Sequence, residues 1–118
     1  MDEWHQCLAA YAAGDAPSRD VERIAVRHTL ELMKAKAPGR SVELRVPPYA
    51  AVQVIEGTTH RRGTPSAVVE MDARTWLELA HGTGEWDVLV ATGVIKASGE
   101  RSDLREWLPL HSDDSRRL

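Results

Sequence analysis

The chain has 118 residues, 42% hydrophobic and 28% charged, a length and composition suited to one folded core rather than a fibrous or disordered chain. The net charge of -3 speaks against phosphate-backbone binding as the main activity, since affinity for nucleic acid comes largely from Lys and Arg. One cysteine, Cys7, excludes an intrachain disulfide and any cysteine-cluster metal site, which fits a reducing, cytoplasmic setting.

In chain order, Trp4, Cys7, Leu8, Tyr11 and Ala12 recur at helical spacing and form one apolar stripe that stops at Gly14. Pro17 and Ser18 restart the chain. Val21, Ile24, Ala25, His28, Leu32 and Met33 then repeat the spacing until Ala37-Pro38-Gly39 ends a second helix. On this reading His28 is an interior or boundary residue with a hydrogen-bond partner, and Cys7 is a small packing residue. Val42, Leu44 and Val46 alternate with Glu43 and Arg45, the period of a strand with one wet face. Pro47-Pro48 forces a turn, and a second strand runs from about Ala50 to Ile55.

A third strand, Ala67 to Met71, follows the loop HRRGTP. Asp72 then offers an N-cap to a helix whose buried face is Trp76, Leu77, Leu79 and Ala80, with Gly82 as its stop. Glu85 to Ala91 reads as a short helix carrying Trp86, Leu89 and Val90. Val94 to Ala97 reads as a short strand, and Ser102 as the cap of a last helix bearing Leu104, Trp107 and Leu108 before Pro109. The layout is one domain over residues 1–110 with a polar tail at 111–118. Its fold class is α+β, with a mainly antiparallel sheet of four to five strands covered on one face by helices.

No apolar run approaches the roughly 20 residues that span a bilayer, and the start MDEWHQ is acidic where a signal peptide is basic. Histidines at positions 5, 28, 60, 81 and 111 show no metal-binding spacing, and no nucleophile elbow, dinucleotide loop or phosphate loop occurs. We therefore expect no cofactor, no metal site and no catalytic residue. The loop from His60 to Pro65 holds the one constellation with chemical potential. His60 beside Arg62 and Thr64 suits a base next to an anion-holding fork, while Gly63 and Pro65 suit a plain turn. Both readings stay open from the sequence.

The run VEMDARTWLELAHGTGEWDVLVATGVIKASGERSDLREWLPL resembles the C-terminal half of the sterol carrier protein type-two family. In that family a strand passes through an acidic residue into an L-x-x-L-x-x-G helix. A second helix, G-x-[IV]-x-[IV]-x-G and a helix with a Leu pair follow. Asp72, Trp76 to Leu79, Gly82, Gly93, Ile95, Gly99, Leu104 and Leu108 carry the likeness. With RSVELRVPPYAAVQVIEG the whole chain looks like the short stand-alone actinobacterial members. A similar fold accompanies mycothiol-dependent maleylpyruvate isomerases as a C-terminal module. The resemblance implies a curved sheet and helices around an apolar tunnel for acyl chains, sterols or phospholipids, without catalytic machinery.

On that basis the expected activity is non-catalytic carriage of an apolar ligand by a monomer or weak homodimer. Its wall would be Val52, Val54, Val69, Trp76, Leu79, Trp86 and Leu89, and Arg62 and Thr64 would latch an anionic head group. The alternatives are a protein-interaction module with a filled core and a small enzyme using His60 and Arg62.

Overall fold

The computed structural model describes residues 2–57, 67–99 and 102–111. Helix α1 spans Glu3–Ala12 and α2 Arg19–Lys36, followed by strands β1 (Val42–Val46), β2 (Ala50–Val54) and β3 (Ala67–Glu70). Helices α3 (Ala73–His81) and α4 (Trp86–Ala91) precede β4 (Lys96–Gly99), and a single 3₁₀ turn covers Arg105–Trp107. The helix starts are locally encoded. Asp2 accepts from the His5 N–H at 2.8 Å, Ser18 from Val21 at 3.2 Å and Asp72 from Thr75 at 2.8 Å, each satisfying a first-turn donor. Gly82 takes the left-handed conformation that closes α3, as expected.

The sheet is ordered β2-β1-β3-β4. β1 pairs antiparallel with β2, and β3 antiparallel with β4, but β1 and β3 run parallel with Val42 opposite Ala67. The sheet is therefore mixed, with two of its three pairings antiparallel, where the expectation was a mainly antiparallel sheet. A tight turn closed by the Tyr49 N–H on the Val46 carbonyl reverses the chain between β1 and β2. β2 ends and β3 begins at the Val42 end of β1, so β3 runs in the same direction as β1. Four strands are present among the described residues, and the segment Thr58 to Pro65, where a fifth strand would fall, lies outside them.

Strand β1 buries Val42, Leu44 and Val46 and turns Glu43 and Arg45 outward, as its alternation requires. On the wet face the Arg45 guanidinium pairs with Glu43 and reaches Glu70 at 4.0 Å. Strand β2 is an edge with only Val54 fully buried. It ends at Val54 rather than Ile55, because Ile55 adopts a positive φ of 67° and leaves the strand. Strand β4 begins two residues later than expected, because the Ile95 N–H bonds to the Leu89 carbonyl and keeps Val94 and Ile95 in the turn after α4.

Helix α2 buries Ala25, Val26, Thr29, Leu30, Leu32 and Met33. The core face is thus rotated from the expected stripe, leaving Ile24 43% exposed and His28 on the surface. The reason is that α2 meets α1, α3 and β2 together, so its buried face is a single wide one that takes in Val26, Thr29 and Leu30. The expected last helix shrinks to the 3₁₀ turn. Asp103 takes the Arg105 N–H at 2.9 Å, and the Leu110 N–H is already committed to the Ala80 carbonyl at 2.7 Å, so too little chain remains for a longer helix.

Candidate functional site

The interior between helices and sheet is occupied by protein at several of the positions expected to line a tunnel. Val54, Val69 and Trp76 are fully buried. The Trp76 indole Nε1 donates to Thr29 Oγ1 at 2.8 Å, and the Thr29 hydroxyl faces the Ala25 and Val26 carbonyls at 2.8 and 3.0 Å. Among the described residues no buried side-chain nitrogen or oxygen lacks a partner. Val52 sits half-buried on the edge strand. On the other side of α3, α1 seats Trp4, whose indole N–H donates to the Leu77 carbonyl at 3.1 Å.

Leu79 and Trp86 are brought together at a different place, with Leu89 beside Gly84. The last turn of α3, the first turn of α4 and the segment after the 3₁₀ turn frame an open cleft of about 220 Å³. Leu79, Trp86, Leu108 and Pro109 supply its apolar wall. Gly84 also lines it, and a Cβ added there would meet Leu89 at 3.4 Å and Leu79 at 3.5 Å. Two long-range bonds hold the C-terminal segment in position: Leu110 N–H to Ala80, and Lys36 Nζ to the Pro109 carbonyl at 3.0 Å.

The rim of the cleft is charged, with Glu85, Asp87 and Arg105 along it. Arg105 is already committed. Its Nη2 donates to Asp103 Oδ2 at 2.6 Å and its Nη1 to Asp87 Oδ2 at 3.1 Å. These hydrogen bonds hold the Asp103 carboxyl below, and the Arg105 guanidinium above, their ordinary pKa values. The expected head-group residues Arg62 and Thr64, and the candidate base His60, lie outside the described residues.

A second polar cluster joins α1, α2 and the β1–β2 turn. Both Tyr11 and Tyr49 donate their hydroxyls to the Glu22 carboxylate, Tyr49 at 2.7 Å, and the Arg74 guanidinium sits 5.4 Å from the Tyr11 ring centre. Burial, reinforced by the Glu22 bond, keeps the Tyr11 proton on well above the ordinary phenol range. The cluster acts as a clamp, since each tyrosine hydroxyl spends its only proton on Glu22.

Cys7 is fully buried beside it, and burial, with the Glu22 charge second, raises its thiol from 9.0 to about 11. Two outcomes are expected. Cys7 should resist a thiol reagent at pH 8 in the folded protein and react at once in urea. Because the folded thiol binds its proton more tightly than the unfolded one, its contribution is complete below pH 9 and falls as pH rises toward 11, which urea unfolding across that range measures.

His5 and His81 come within 6.0 Å ring to ring beside Trp4, and His5 Nδ1 lies 2.8 Å from Asp2. No set of three or more metal-ligating side chains is grouped among the described residues, and no described helix is long and apolar enough to cross a membrane.

The sequence reading missed Glu85, Asp87 and Arg105 as site residues. The glycines of GTGEW next to Trp86 are the one local signal for them, because paired glycines beside an indole mark a place where chain and side chain come close. Nothing in the sequence shows that Arg105 to Pro109 returns to the same place.

The family model described as Bacterial SCP ortholog matches residues 18–110, from the cap of α2 to the Leu110 contact on α3. No curated protein matches the chain. Helix α1 lies before the matched region, which holds the sheet, α2 to α4 and every residue of the cleft. With that match covering most of its length, the chain belongs to the bacterial SCP ortholog family.

Proposed function

We propose that this protein is a non-catalytic binding module for a small apolar or amphiphilic molecule, held in the cleft between α3, α4 and the Arg105–Leu110 segment. The observation that carries the proposal is the cleft itself, an open space walled by Leu79, Trp86, Leu108 and Pro109 inside the family-matched region. Its volume of about 220 Å³ is below that of common drug-sized sites, so a short chain, or the end of a longer one, is the fitting guest. Six buried methylenes contribute about 5 kcal/mol before the cost of association, so binding is on the order of 1 mM or weaker.

A protein-interaction module is the second reading, favoured by the packed interior around Trp76 and Val69. Two measurements separate the readings. Native mass spectrometry of the protein sprayed with millimolar octanol should show a one-to-one adduct. NMR titration with octanol should shift Leu79, Trp86 and Leu108. A clean mass together with unmoved resonances would overturn the ligand reading in favour of the interaction module.

A further inference from the structure

We infer that the guest of this cleft carries a positive or neutral polar end rather than a carboxylate or phosphate; the inference rests on the cleft being the apolar site proposed above. Two carboxylates, Glu85 and Asp87, and one guanidinium, Arg105, line the cleft, while the Lys36 ammonium nearby is bonded to the Pro109 carbonyl. Arg105 is the only lining residue among those described that would attract an anion, and Asp103 holds it through both Nε and Nη2, with Asp87 on Nη1. An incoming carboxylate would have to displace Asp87 from Arg105 and then sit beside both Asp87 and Glu85. A protonated amine meets the opposite situation. Glu85 and Asp87 both line the cleft, and Asp87 has one oxygen beyond the Arg105 bond.

The helix ends do not reverse this. The carbonyl end of α3 lies at Leu79 and Gly82 and favours a cation, while the start of the short α4 at Trp86 has the opposite sign. These roughly offset each other, and the carboxylates decide. The charge pattern thus selects an amine-bearing amphiphile, or a neutral one such as an alcohol, with its chain on Leu79, Trp86 and Leu108.

The test is NMR titration of the intact protein at pH 7 with three eight-carbon probes that differ only at the end: octylamine (protonated at this pH), octanol and octanoate. The resonances of Leu79, Trp86 and Leu108 report occupancy of the cleft. Octylammonium is expected to bind about threefold to tenfold more tightly than octanol, and octanoate more weakly than either. The ammonium preference should shrink as salt is raised, because the rim is exposed. In Glu85→Gln/Asp87→Asn the ammonium and alcohol constants should converge.

Octanoate binding as tightly as octylammonium, or a cation preference that survives Glu85→Gln/Asp87→Asn, would overturn the inference and leave the apolar site standing. Failure of all three probes to shift these residues would overturn the apolar site and the inference with it.

Discussion

Gly39→Ala is expected to lower stability by about 3 kcal/mol. Gly39 joins α2 to β1 with φ of 151°, and a Cβ built there would overlap the Ile55 carbonyl carbon and oxygen and the Glu56 nitrogen. Those atoms are backbone and already committed. The Ile55 N–H bonds to the Ala37 carbonyl at 2.7 Å, and the Ile55 carbonyl accepts from Ser41 N–H at 3.0 Å and Ser41 Oγ at 2.7 Å. Relief of the overlap therefore breaks the joint that sets β2 against the end of α2. Gly14→Ala is the control, with φ of 78° and nothing within 4 Å of the added carbon, so it carries only the conformational cost of about 1–2 kcal/mol. Urea unfolding of both variants checks this, and equal midpoints would show that the Gly39 contact is not limiting.

Trp76→Ala is expected to cost about 3–5 kcal/mol, a large share of the 5–15 kcal/mol typical of a folded domain. Trp76 has no solvent exposure and fills the space between α3 and α2 with its N–H on Thr29. Truncation leaves a cavity and removes the donor that Thr29 accepts from. Trp76→Phe keeps most of the ring and loses that bond, at about 1–2 kcal/mol. The pair tests whether this tryptophan is packed core or the wall of a ligand space. If Trp76 faced an occupied tunnel, the alanine variant would lose little stability and would take up a bulkier guest. Urea midpoints with and without added octanol distinguish the two.

The readings that held from the sequence rest on short spacing. The stripe of Trp4, Cys7 and Tyr11, the caps at Ser18 and Asp72, the stop at Gly82 and the alternation Val42, Leu44, Val46 each involve groups within one turn or one pleat. Their cause is local: a cap satisfies an N–H three residues on, and a strand turns every second side chain inward. The family was also legible, because the order of glycines and leucines from Asp72 to Leu108 falls within the matched region. The residues expected to form a wall fall in two places. Leu79 and Trp86 line the cleft, whereas Val54, Val69 and Trp76 are packed into the core. A buried core face and a ligand-lining face have the same apolar periodicity, so the sequence does not separate them.

By itself, then, the sequence determined helices α1 to α4, the α+β class, the burial of Cys7 and the family, because propensity, capping and periodicity act over three or four residues. Only the tertiary structure decided that β3 runs parallel to β1, that α2 turns Thr29 inward to meet Trp76, and that Arg105 shares its charge between Asp87 and Asp103. The physical reason is separation. Thr29 and Trp76 are 47 residues apart and Asp87 and Arg105 are 18 apart, so both meetings depend on the packing of whole elements rather than on the residues next to them.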